Sequence, residues 1–214
     1  VRGWANILAK AGFRAILVDL RGHGRSTGDS LTYGVVESRD LTQVLSALAA
    51  RGLVAGGLGV MGISYGAATA IEWAAKDPRV SAVVAVAPFA SLRMVAPGYT
   101  VVPLPRSMVD GAIERAGKEG DFDPDEASPA LAMARMHTPV LLIHGEDDAR
   151  VPAWHSQLLY AAGRSHTELL LVPGAGHASI AVSHVIADFV PGWFAAHLPA
   201  PASAAPVEDD DAAP

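Results

Sequence analysis

The chain has 214 residues, a net charge of -6, and half of its residues are apolar, which is enough for one domain with a sizeable core. Acidic residues Glu208, Asp209, Asp210 and Asp211 sit together near the C-terminus and no basic stripe exists elsewhere, so nucleic acid is excluded as a partner. No run of about 18 apolar residues offers a membrane span, and the lack of cysteine excludes disulfides, thiol catalysis and thiolate metal sites.

In chain order, "VRGWANILAKAGF" reads as a helix ending at Gly12. "RAILVDL", Arg14 to Leu20, predicts a short buried strand, and "VVESRDLTQVLSALAARG" predicts an amphipathic helix closed by Gly52. "GLGVMGI", Gly57 to Ile63, is the second predicted strand, followed by an alanine-rich helix that stops near Asp77-Pro78. Further strands are predicted at Val80 to Phe89, Pro139 to Gly145 and Glu168 to Gly174, with helices at Ala153 to Ala162 and Ser179 to His197. This alternation implies a mostly parallel sheet flanked by helices, an α/β fold.

Two segments break the rhythm. Residues 91 to 137 separate two strands by far more than a short connection and hold a helical piece near Met108 to Gly117; a cap over the site is expected there. From Pro199 the chain is proline, alanine and acid without apolar period, so 1–198 is expected to be the domain and 199–214 a disordered acidic tail. No leader sequence of charged, apolar and small residues opens the chain, and a cytoplasmic location is expected.

Ligands of open parallel sheets bind beyond the carboxyl ends of the strands. Ser64 follows the second predicted strand, Asp147 and Asp148 the fourth, and His177 the fifth. A serine hydroxyl needs a base to take its proton, and the base needs a carboxylate to orient it. Gly62, Ser64 and Gly66 form a G-x-S-x-G pattern suited to a sharp strand-to-helix turn. The helix that starts there points its amides at developing negative charge, with Tyr65 N–H as one expected oxyanion donor. The other histidines show no paired ligand spacing, so neither a metal nor a cofactor is expected. Trp4, Trp73 and Trp193 read as packing groups; Trp154, just past the acid loop, is the tryptophan nearest a substrate role.

The pieces "DLRGHGRS", "GISYG", "LLIHGEDDARVP" and "PGAGH" together resemble the α/β-hydrolase superfamily from Gly12 to about Leu198, in its esterase and serine peptidase-like branch. The resemblance implies Ser64 as nucleophile and His177 as base. The pattern H-G-x-x-D-x-x-V-P, fixed by His144, Gly145, Val151 and Pro152, selects Asp148 over Asp147 as the acid. His23 is expected to shape a loop and His144 to be a packed, hydrogen-bonded residue. The resemblance also implies a central strand ahead of Val1, lying between Arg14–Leu20 and Gly57–Ile63, and a following loop with a second oxyanion donor. The chain is therefore read as lacking its first strands. Its expected function is a serine hydrolase acting on a small-molecule ester or amide through an acyl-enzyme, most of all a carboxylesterase. The alternatives are a peptidase of the same fold, a catalytically impaired fragment, or a non-catalytic binder.

Overall fold

The computed structural model describes residues 2–54, 56–100, 102 and 104–199. The expected acidic tail, from Ala200 on, lies outside the described residues. Four strands, β1 (Leu58–Ile63), β2 (Val80–Val86), β3 (Val140–Gly145) and β4 (Thr167–Val172), form one sheet in chain order. Every neighbouring pair is parallel. Crossovers between parallel strands are right-handed, so successive crossovers in one direction place their helices on one face. Those helices are α3 (Tyr65–Ala74), α6 (Pro129–Arg135) and α7 (Trp154–Ala162). α2 (Val35–Ala50) joins them. α1 (Arg2–Lys10) and α9 (His184–His197) cover the other face.

The period of two in β2 and β3 divides the core between the faces. Val83, Ala85, Val140 and Leu142 pack with Leu41, Ile71, Trp73, Met133 and Leu159. Ala82, Val84, Val86, Leu141 and Ile143 pack with Trp4, Ile186, Val190 and Phe194. β3 is buried throughout and β2 at every position but Ser81, which explains their largely apolar reading.

The segment predicted as the first strand is not one. Arg14 to Leu20 has no regular structure, and β1 pairs only with β2 among the described residues. An apolar run becomes a strand only when a neighbour meets its donors and acceptors, and β1 does not supply that ladder. Ile16, Leu17 and Val18 are accordingly 43%, 50% and 41% exposed.

Two other boundaries differ. The insertion contains α4 (Leu92–Val95), a 3-10 turn (Ala96–Tyr99) and α5 (Arg106–Gly120). Its last part, α6, is instead a core crossover helix. The C-terminal helix is divided into α8 (His177–Ile180) and α9, with Val182 and Ser183 closing a turn between them.

Candidate active site

Ser64 sits where β1 turns into α3. Its φ of 54° and ψ of -115° lie where side chains are rarely held, and its N–H donates to the Val86 carbonyl at 2.7 Å. The turn is tight because strand and helix almost touch: a Cβ at Gly62 would lie 2.0 Å from the Gly66 carbonyl oxygen. Only glycine fits there. Gly66 itself is not sterically required, since a Cβ there meets nothing within 4 Å.

His177 and Asp148 come from the ends of β4 and β3. His177 Nε2 is 3.0 Å from Ser64 Oγ, and His177 Nδ1 is 2.6 Å from Asp148 Oδ2. Because a carboxylate only accepts, Nδ1 carries the proton and Nε2 is left to accept from the serine hydroxyl. Asp148 is 4% exposed, and its Oδ1 accepts from the Arg150 and Val151 amides at 2.9 and 2.8 Å. Asp147 is exposed, and its amide donates to Ala175 at 3.0 Å. That bond ties the acid loop to the histidine loop. Gly145 lets the two approach, because a Cβ there would lie 2.1 Å from the Ala175 oxygen.

Tyr65 opens α3 directly after Ser64. Its N–H has no acceptor among the described residues, as the first amides of a helix do not. It is therefore a free donor at the positive end of the helix dipole, beside the serine.

Two further residues stand behind these groups: His144, expected to be packed and hydrogen-bonded, and Glu37, which the sequence did not single out. His144 is wholly buried, with Nε2 2.7 Å from the Val151 carbonyl and 3.3 Å from Asp148 Oδ2, while Nδ1 is 2.6 Å from Ser156 Oγ. Burial pushes its pKa down and keeps it neutral. Glu37 is also wholly buried and accepts from the Tyr65 hydroxyl at 2.8 Å. Glu37, at the third helical position, accepts from the N-cap Gly34 N–H at 2.9 Å, which is one half of a capping box, but nothing in the sequence spacing points to Tyr65.

The surroundings are aromatic. The Tyr65 ring lies 5.4 Å from His23 and 5.6 Å from Tyr33, and Tyr33 lies 6.3 Å from Phe89. His23 bonds through Nδ1 to the Arg21 carbonyl, within the loop that Asp19 closes by accepting from Arg25 N–H. Trp154 stacks on His155 at 3.7 Å and remains 43% exposed. The insertion reaches this edge of the sheet: Val95 packs with Ala68, Phe89 and Val151, and the Arg150 guanidinium lies 5.3 Å from the Tyr99 ring. No group of three or more His, Cys, Asp or Glu side chains that could hold a metal occurs among the described residues. No helix among them is long and apolar enough to cross a membrane.

Comparison with known proteins bears on the family and the fold. The family model described as "Prolyl oligopeptidase family" matches residues 2–198. The protein YqkD of Bacillus subtilis is 27% identical over 187 residues, covering 82% of this chain and 59% of that protein. The Pyrococcus furiosus esterase Pf2001 superposes with a TM-score of 0.73 at 22% identity, over 92% of this chain and 76% of that one. A puromycin-hydrolyzing peptidase of Mycobacterium tuberculosis superposes with a TM-score of 0.62 at 20% identity, over 77% and 26%. The chain spans roughly half the length of the curated relatives it matches.

Proposed function

The chain belongs to the prolyl oligopeptidase family and has the α/β-hydrolase fold, and from that premise we propose that it is a serine hydrolase with Ser64, His177 and Asp148 as its triad. The observation that supports this reading is the unbroken hydrogen-bonded line from Ser64 Oγ through the His177 ring to Asp148. In the first step His177 Nε2 takes the Ser64 proton as Oγ attacks the substrate carbonyl. Asp148 Oδ2 holds the Nδ1 proton and stabilises the imidazolium. Tyr65 N–H donates to the oxyanion that forms. His177 then protonates the leaving group, and water repeats the sequence to release the acyl product.

The substrate is a small ester with an apolar or aromatic acyl group. The insertion segment packed against this edge exposes Met94, Tyr99 and Leu104, at 42–49%, and the site itself is edged by Tyr33, Tyr65 and Phe89. An amide substrate is the second reading, favoured by the match to a peptidase family. Paired p-nitrophenyl esters and p-nitroanilides of one acyl group separate the two. A fluorophosphonate tests the triad: it labels Ser64, Ser64→Ala abolishes labelling, and His177→Ala slows it greatly. Labelling that survives Ser64→Ala overturns the assignment.

A further inference from the structure

Glu37 is a buried carboxylate with four donors around it. Its Oε1 accepts from Thr32 N–H at 2.9 Å and from the Tyr65 hydroxyl at 2.8 Å. Its Oε2 accepts from Gly34 N–H at 2.9 Å and from the Thr32 hydroxyl. An ionised carboxylate is the side chain that accepts from every direction and donates in none, so each of its partners is satisfied. The local bonds explain part of this: Gly34 caps α2 and Glu37 is the third residue of that helix. The bond to Tyr65 is different. It links α2 to the residue directly after Ser64, 28 positions along the chain.

That residue carries the free N–H beside the serine. That N–H belongs to the Ser64–Tyr65 peptide, whose Ser64 carbonyl accepts from Ala67 and Ala68 N–H at 3.0 and 3.1 Å, so the fine aim of the N–H follows how the rest of Tyr65 is held. The backbone before it is strained at Ser64, and a strained turn persists only when its surroundings over-determine it. The following peptide is held too, since the Tyr65 carbonyl accepts from Thr69 Oγ1 at 3.0 Å. The Tyr65 ring is wedged against Tyr33 and His23, and its hydroxyl is fixed by Glu37. Tyr33 has a φ of 56° and Gly34 one of 102°, so the turn that presents Tyr33 to the Tyr65 ring is itself pinned by Glu37 through Gly34 N–H.

We infer that Glu37 is a positioning residue for the oxyanion donor: through the Tyr65 hydroxyl and the Tyr33-Gly34 turn, it aims Tyr65 N–H at the oxygen that becomes charged. The inference rests on the serine hydrolase reading. It assigns Glu37 no contact with substrate. Burial pushes the Glu37 carboxyl up, but the donors from Thr32, Tyr65 and the capped backbone overcome it and hold the pKa below the usual value. The Tyr65 hydroxyl is pushed up by burial and by Glu37, so it remains a donor throughout the working range.

The test compares Glu37→Gln and Tyr65→Phe with the wild-type protein, using a p-nitrophenyl ester and its thiono analogue. Sulfur is a poor acceptor in place of oxygen, so a well-aimed donor favours the oxo ester. In both variants kcat for the oxo ester falls about ten- to hundredfold with KM changed less than about twofold, the scale of a small misplacement of a reacting group. The oxo-to-thiono rate ratio falls with it. A loss of folded protein would lower both rates equally and leave the ratio unchanged. Tyr65→Phe removes one hydroxyl and keeps the ring, so it carries the test if Glu37→Gln does not fold. An unchanged kcat and ratio in Tyr65→Phe, with Ser64 still labelled by a fluorophosphonate, overturns the inference alone. Absence of Ser64 labelling in the wild type overturns the hydrolase reading, and this inference with it.

Discussion

A methyl group at Gly62 would meet the Gly66 carbonyl oxygen at 2.0 Å, and a methyl group at Gly66 would meet nothing within 4 Å. Gly62→Ala is therefore expected to push strand and helix apart, to cost about 1–3 kcal/mol as an overpacked site, and to displace Ser64. Gly66 lies in a helix without a positive φ, so Gly66→Ala is expected to stabilise by about 0.4–1 kcal/mol through the unfolded chain. Denaturant unfolding together with Ser64 labelling checks both; equal effects of the two substitutions would contradict the geometry. The two aspartates make a second pair. Asp148→Asn leaves His177 Nδ1 with a partner that can both donate and accept, and a loss of about 10⁴-fold in kcat is the scale for such a change. Asp147→Asn changes an exposed side chain and is expected to leave kcat within about twofold. The G-x-S-x-G spacing brought out Ser64, and the strand-end positions brought out His177 and an acid, because each marks a local turn. His144 reads as a packed residue at a strand end, but Glu37 carries no such mark. Glu37 matters through a bond to a residue 28 positions away, which only the folded chain brings together.

The elements between the strands divide into those that hold the sheet and those that border the site. α6 belongs to the first group. Met133 is fully buried between α6 and the sheet, and a Cβ at Gly163 would strike its Cε at 2.6 Å. Met133→Ala is expected to cost about 2–5 kcal/mol. Met108 on α5 is 58% exposed, and Met108→Ala is expected to stay within about 0.5 kcal/mol. Chemical unfolding measures both, and a large loss at Met108 would show that α5 shares the core. Apolar period alone could not draw this line: the sequence between Ser91 and His137 shows one helical piece, near Met108 to Gly117, and α6, which packs on the sheet, does not stand out in it. The same holds for Arg14 to Leu20. Its composition suits a strand, but strand formation depends on a neighbour's backbone, and composition says nothing about the neighbour. The four strands that do form were legible because β2 and β3 are apolar and buried on both faces, and because Gly57 precedes β1 and the Pro173-Gly174 turn follows β4.

Across the whole molecule, acid acts on the fold and on the chemistry through different histidines. His155 is 1% exposed, stacks on Trp154 and accepts from Ala90 N–H at 3.1 Å. Burial pushes its pKa down to about 4. In the unfolded chain a histidine binds its proton near pH 6.5, so the unfolded state takes up the proton first. The stability that the neutral ring contributes is full above about pH 6.5 and is lost as pH falls towards about 4. The shift corresponds to about 3 kcal/mol. His144 is depressed by burial as well and adds to the loss in the same direction. Glu37 and Asp77 are also held below their usual values, and their losses follow at lower pH, as the carboxylates protonate. In the proposed mechanism turnover has a separate cause, since a protonated His177 could not take the Ser64 proton. His155→Asn distinguishes the two, because an amide oxygen can accept from Ala90 N–H but does not titrate. The expected result is a melting temperature that depends less on pH between about 7 and 4, while the acid limb of kcat/KM persists. An unaltered slope of melting temperature would remove His155 as the source of acid lability. Loss of the acid limb would mean that His177 is not the base.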